Sequence, residues 1–328
     1  MPKKTKKKPL EGQIAVVAGA TRGAGRGIAR GLGEAGAVVY CTGRSVRGQP
    51  SPYDRPETIE ETAEMITSAG GRAIPVRVDH TVESEVRALF KKIEREHGRL
   101  DVLANSVAGQ DMRMAGWTTF WETELRDAVP VVENALLSHV ITAKHAAPLM
   151  IKKRRGLIVE ITESDMLFCG GNVLAQLVKF SIKGLALIMA EELRKHRVAA
   201  IAITPGYLRS EWMLEHLGVT EENWRDGGKK DKTFLESESP LFIGRTIAAL
   251  AADPKVLARS GDLTSSWELG QEYGITDYDG RQPDIVKHFA EEIVPSSKWF
   301  KEAIQRHIDW LNRIARRADR YLRPTSTS

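Results

Sequence analysis

The most constraining feature of this 328-residue chain is a glycine-rich turn, Ala18-Gly19-Ala20-Thr21-Arg22-Gly23-Ala24-Gly25-Arg26-Gly27. It is caught between a short apolar run, Gln13–Ala18, and a segment with helical spacing, Gly27–Ala35. A strand that must turn at once into a helix needs residues without a Cβ, because the backbone has to bend tightly and pack closely. The helix that follows aims unpaired N–H groups and the positive end of its dipole back at the turn. That is a site for an anionic group such as a diphosphate.

The rest of the chain repeats the alternation. Strands are predicted at Ala37–Cys41, Ala73–Val78, Leu100–Ala104, Leu157–Ile161, Val198–Ile203 and near Asp262–Ser266. Helices are predicted at Glu57–Ala69, Glu83–Glu96, about Ala128–Ile151, about Leu174–Lys195 and near Leu241–Ala252. Strands alternating with helices specify an α/β fold, a Rossmann-type doubly wound parallel sheet with right-handed crossovers. The expected organisation is a disordered basic tail over 1–9, one domain over 10–270 and a helical C-terminal extension over 271–328. Within the domain, 207–240 turns polar and reads as an insertion on the substrate side, near the carboxyl edge where such sheets bind ligands.

Charge narrows the classes of function. Lys3, Lys4, Lys6, Lys7 and Lys8 crowd the first nine residues, and 298–328 holds eight Lys/Arg against three Asp/Glu. The net +5 therefore sits at the two ends, and the body between is net acidic. That is not the basic surface a nucleic-acid binder needs. No apolar run reads as a membrane span, and no membrane partner is expected. Two cysteines, Cys41 and Cys169, with no CxxC spacing, suggest a reducing compartment and a cytoplasmic protein. The histidines are scattered, and no Cys/His cluster has metal spacing.

The spacing Gly19, Gly23, Gly25 (Gly-x-x-x-Gly-x-Gly) resembles the short-chain dehydrogenase/reductase family. Further positions agree. Asp79-His80 ends the third strand as the family's adenine-contacting Asp does, Asn105-Ser106-Val107-Ala108-Gly109 is similar to Asn-Asn-Ala-Gly, and Thr204-Pro205-Gly206 resembles the Pro-Gly beside the nicotinamide. The resemblance implies a nicotinamide cofactor held by Gly19, Thr21, Arg22, Gly23, Gly25, Arg44, Asp79, His80, Asn105, Lys179, Pro205 and Gly206. The end of the second strand, Val39-Tyr40-Cys41-Thr42-Gly43-Arg44-Ser45, carries no acid to bond a ribose 2′-hydroxyl. Arg44, and Arg22 from the turn, suit a 2′-phosphate in charge and fork geometry, so NADP(H) is favoured over NAD(H).

The family's catalytic Asn, Ser, Tyr and Lys are matched unevenly. The helix around Lys179-Phe180-Ser181-Ile182-Lys183 puts Lys179 at the Lys position and Ala175 at the Tyr position, so there is no phenol. The Ser position falls on Glu163 or Thr162, with Ser164 adjacent, and the Asn position falls on Ala135, next to Asn134. Tyr207, Glu163, Asp165 and His139 are the residues that could supply a proton instead. The expectation is an NADP(H)-dependent oxidoreductase of a small carbonyl or alcohol, with catalytic candidates Lys179, Thr162, Glu163, Ser164 and Tyr207. The alternative is a catalytically impaired relative that binds nucleotide as a scaffold or sensor. By analogy with the family, the chain is expected to form a homodimer or homotetramer.

Overall fold

The structure is a computed structural model; it describes residues 7–49, 55–108, 119–163 and 173–293, with isolated positions from 298 to 313. Seven parallel strands form one sheet in the order β3-β2-β1-β4-β5-β6-β7. They are β1 Ile14–Ala18, β2 Val38–Gly43, β3 Arg72–Arg77, β4 Val102–Asn105, β5 Gly156–Ile161, β6 Val198–Thr204 and β7 Leu263–Ser265. The helices are α1 Gly23–Glu34, α2 Ile59–Ser68, α3 Glu83–His97, α4 Leu125–Val132, α5 Ser138–Lys153, α6 Val173–Arg194, α7 Glu211–Leu217, α8 Pro240–Ala252, α9 Ser266–Tyr273 and α10 Ile285–His288.

The period-two alternation of each strand sorts its side chains onto two faces. Ala15, Val17, Val39, Cys41, Val159 and Ile201 join one core with Ile28, Leu32 and Ile247 of α1 and α8. Val16, Tyr40, Leu103, Ile158 and Ala200 join the other with Val86, Phe90 and Ile93 of α3 and Met150 and Met189 of α5 and α6. Pro75 is accommodated because β3 is an edge strand, whose unpaired side needs no donor. Strand order reverses between β1 and β4, which opens a crevice at their carboxyl ends.

Several boundaries differ from the sequence reading. Helix α1 starts at Gly23, a turn earlier than predicted, so three of the turn's glycines lie inside it. The single helix expected over 128–151 is two helices joined by a π-turn at Glu133–Leu137. Helix α9 runs through residue 270, the boundary assigned to the extension. Helix α6, with 22 residues, is long and apolar enough to cross a membrane by length and composition, against the sequence reading. Here its Val178, Ile182, Ala186 and Ala190 are buried in the body.

Close backbone approach sets the seat of α1. A Cβ on Gly27 would lie 1.6 Å from the carbonyl oxygen of Pro240, and one on Gly244 would lie 2.0 Å from that of Gly27. Helices α1 and α8 thus touch backbone to backbone. Replacement Gly27→Ala must push them apart and is expected to cost about 1–3 kcal/mol of unfolding free energy in urea titrations. A Cβ on Gly48, by contrast, would meet nothing within 4 Å. Gly48→Ala therefore disturbs no packing, and its cost is confined to the positive φ of 78°.

Candidate active site

The cleft at the end of β1 is built on missing side chains. A Cβ on Gly19 would sit 2.6 Å from the Ser106 carbonyl oxygen, so the turn lies directly on the segment leaving β4. Gly19 and Gly23 have φ of 81° and 52°, a region that favours glycine. Arg22 holds the N-cap position of α1, but no side chain caps the helix from there. The amide of Gly23 instead donates to Glu211 Oε2 of α7 at 2.8 Å. Beneath the turn, Arg26 is buried and donates to the Thr21 carbonyl at 3.0 Å and to Thr62 and Glu61 of α2.

Charge surrounds this cleft. Arg22 Nε is buried without a hydrogen-bond acceptor, with Glu57 Oε2 an ion-pair contact at 3.5 Å. Burial, set partly against the neighbouring Glu57 charge, lowers its pKa. Arg55 grips the same Glu57 at 2.5 Å and also bonds Glu215 of α7. Arg44 lies 3.8 Å from Asp79 Oδ2, and Asp79 Oδ1 accepts from the Thr81 amide and hydroxyl. A glycine cradle ringed by guanidinium groups fits an anionic dinucleotide.

Two cofactor candidates turn inward. His80 is buried, its Nε2 against Thr42 Oγ1 and its Nδ1 against Thr142 Oγ1, each at 2.8 Å. Burial, helped by His139, pushes its pKa down to about 3, so the ring is neutral. Only its backbone is left for a nucleotide. Asn105 is fully buried and donates to Glu160 Oε1 at 2.8 Å, while its own Oδ1 has no partner. It joins β4 to β5 rather than reaching into the cleft.

At the carboxyl end of β5, Lys179 Nζ faces Glu163 Oε2 at 4.0 Å. Desolvation lowers the pKa of Lys179, and the Glu163 charge opposes that. Thr162 is buried and donates its hydroxyl proton to the Lys179 carbonyl at 3.1 Å, so it holds the helix. Tyr207 donates to Asp231 at 2.9 Å, and burial followed by that carboxylate raises its pKa further. A phenol so engaged is a poor acid, which corrects its place among the proton donors. His139 is buried, with Nδ1 2.5 Å from Glu160 Oε2 and Nε2 3.1 Å from the Val107 carbonyl. It is a core partner of Glu160. Asn134 spends its amide on the Pro130 carbonyl at 2.6 Å. Ser164 and Asp165 lie outside the described residues.

The model of the short chain dehydrogenase family matches residues 13–217. The chain belongs to that family. Short-chain dehydrogenases are oxidoreductases that bind a nicotinamide cofactor, and curated relatives agree along most of their length. One is "Dehydrogenase/reductase SDR family member 1" of Homo sapiens, 37% identical over 278 residues, 83% of this chain and 85% of the relative. Another is the 2-dehydro-3-deoxy-D-gluconate 5-dehydrogenase of Formosa agariphila, 32% identical, covering 78% and 87%. Among solved structures, a metagenomic short-chain oxidoreductase in complex with NADP superposes with a TM-score of 0.57 at 26% identity, covering 75% of this chain and 93% of that one.

In this short-chain dehydrogenase the Pro205-Gly206 loop rests on a buried carboxyl that sequence reasoning missed. Glu238 Oε2 accepts from the Gly206 amide at 3.0 Å and from the Ser266 hydroxyl at 2.5 Å, while its Oε1 is buried without a partner. Desolvation, against those two bonds, raises its pKa to about 8. Arg209 is equally hidden from the sequence. It bonds the Ser237 carbonyl at 2.6 Å and Asp277 at 3.1 Å, and stacks 4.2 Å from the Trp224 ring. The segment 207–240 is thereby pinned to residues near 277.

Because the folded state holds the Glu238 proton more tightly than the unfolded chain, this residue's contribution falls as pH rises from about 4.5 to about 8. The variant Glu238→Gln lacks that loss. Its unfolding free energy relative to wild type is expected to improve between pH 5 and pH 8. Parallel pH profiles for the two proteins would rule out a raised pKa at this position.

Proposed function

We propose that the chain is an NADP(H)-dependent oxidoreductase acting on a small carbonyl or alcohol, in which the lysine at the family's Lys position, paired with the carboxylate of Glu163, takes over the proton donation that the family gives to its Tyr. The observation that carries this reading is Lys179 Nζ facing Glu163 Oε2 at 4.0 Å, at the carboxyl end of the sheet that also presents the glycine turn. Aligned by the family's helix, Lys179 takes the Lys position and Ala175 the Tyr position; the Ser position falls on Glu163 when counted from Gly156 or on Thr162 when counted back from Ala175, and Ala135 takes the Asn position. The cofactor, when bound, supplies or accepts hydride at its nicotinamide ring.

The chain's own residues do the rest. Burial weakens Lys179's hold on its proton, which brings the ammonium toward the range useful for an acid at neutral pH. Glu163, exposed on the solvent side, keeps the lysine charged and can pass it a fresh proton from water. Thr162 anchors the backbone of Lys179 and so fixes where the ammonium stands. Arg22 and Arg44 offer guanidinium groups for a 2′-phosphate, and no acid at the end of β2 opposes one. The exposed Leu177, Leu187 and Ile188 of α6, with Val140 of α5, supply an apolar outer face for a homodimer or homotetramer.

Calorimetric titration with NADPH and NADH checks the cofactor. NADPH is expected to bind the more tightly, and Arg44→Ala to weaken NADPH roughly tenfold or more while sparing NADH. For the chemistry, Lys179→Met is expected to lower turnover of a reducible carbonyl by roughly 10²–10⁴. Ala175→Tyr is expected to add little. Tight binding of NADPH with no oxidation across a broad carbonyl panel, or a large gain from Ala175→Tyr, would instead favour the nucleotide-binding scaffold or sensor.

A further inference from the structure

Helix α7 carries two carboxylates one helical turn apart, and both reach across the mouth of the dinucleotide cleft. Glu211 Oε2 takes the Gly23 amide at 2.8 Å, and its Oε1 stands 3.3 Å from Arg26 Nη1. Glu215 Oε2 bonds Arg55 Nη1. The segment leading into α7 lies directly on the turn, since a Cβ on Gly23 would be 3.6 Å from Ser210 Cβ and 3.7 Å from Leu208 Cδ2. Two other carboxylates serve the same guanidinium groups, Glu57 and Glu61, but these belong to the start of α2 and its approach. Those of α7 come from residues 160 and 188 positions away in sequence from the groups they bond.

The first amide of α1 and the arginines beside it are the groups an anionic nucleotide would use, and α7 fills part of that set with negative charge. A diphosphate seated on the turn would meet Glu211 over the Gly23 amide, and like charges at such range repel. A 2′-phosphate drawn to the Arg22–Arg55 cluster would meet Glu215. Arg22 Nε, 3.5 Å from Glu57 Oε2 and buried without a hydrogen-bond acceptor, marks a donor whose hydrogen bond the four carboxylates leave unmade.

We propose that α7 is a carboxylate latch, in which Glu211 competes with the cofactor's diphosphate for the N-terminus of α1 and Glu215 competes with its 2′-phosphate for Arg55. The Glu215 half rests on the NADP(H) reading; the Glu211 half requires only a dinucleotide. Binding of cofactor then releases α7, and the substrate-side segment 207–218 moves with it. Arg55 becomes a residue that distinguishes the two nucleotides.

The test is equilibrium binding of NADP+ and NAD+ to the full chain and to two variants, Glu211→Gln and Glu215→Gln, with thermal melting to confirm folding. Glu211→Gln is expected to tighten both nucleotides roughly three- to tenfold, as removal of a competing charge does. Glu215→Gln is expected to tighten NADP+ by a similar factor and leave NAD+ within twofold. Hydrogen exchange across 211–217 is expected to rise when NADP+ saturates the wild-type chain. Variants that bind both nucleotides as the wild type does, or more weakly, would overturn the latch. A wild-type preference for NAD+ would instead remove the NADP(H) reading, and the response of NAD+ binding to Glu211→Gln would still decide the Glu211 half.

Discussion

The turn between β1 and α1 can sit where it does only because backbone meets backbone there. Gly19 lies against the Ser106 carbonyl, and a Cβ on Gly25 would be 2.0 Å from the Gly19 oxygen. Farther along α1, Gly27 and Gly31 let α8 approach in the same way. These contacts place the amino end of α1 over the crevice between β1 and β4. Everything ascribed to the cleft follows from that placement: the Gly23 amide at its mouth, the ring of arginines and the reach of α7. A close-packed interior transmits such a constraint with little slack.

A second constraint is polar and lies in the sheet itself. Glu160 faces inward from β5 with no exposure, between Asn105 of β4 and His139 of α5. A lone buried carboxylate is costly, and a partner with good geometry offsets much of that cost without making the pair a net source of stability. What the pair does is orient. His139 Nε2 reaches the Val107 carbonyl, so the segment leaving β4 is held from below by the triad and from above by the turn. Arg26 has the parallel role under α1, joining the turn, α2 and α7. Both devices fix the walls of a site with groups that need not touch a ligand.

The doubly wound parallel sheet, the glycine turn and the place of Lys179 on a long helix were legible because each leaves a local mark: strands alternating with helices, a strand–glycine–helix junction, and helical spacing from Leu174 to Lys195. The outcome for single side chains was less so. His80 and Asn105 follow their strands as the family pattern does, yet their side chains face the interior, because a residue at the end of a strand can point to either side. Glu160 did leave a signal, an acid inside the apolar run Leu157–Ile161, and that signal calls for a buried partner. Arg55, Glu211, Glu215 and Glu238 left none. Apart from Glu57, two residues from Arg55, their partners are 28 to 188 residues distant, and ordinary charged residues in polar stretches look like solvated surface.

The same arithmetic of charge bears on the reacting end of the cleft. In the family's arrangement a neutral phenol carries the proton and the lysine charge makes it easier to lose. Position 175 holds alanine, whose side chain is only a methyl group, and Lys179 Nζ lies 4.0 Å from Glu163 Oε2. In the proposed reading a neutral acid is exchanged for a charged one, and a hydroxyl for an anion. Burial and the carboxylate pull Lys179 in opposite directions, so its readiness to give up a proton depends on how much water reaches Glu163. Whatever closes over that carboxylate strengthens its field, because the screening of an exposed charge is lost on burial. The proposed latch and the proposed acid rest on one rule: carboxylates at the two ends of the cleft set the charge that its ligands would meet.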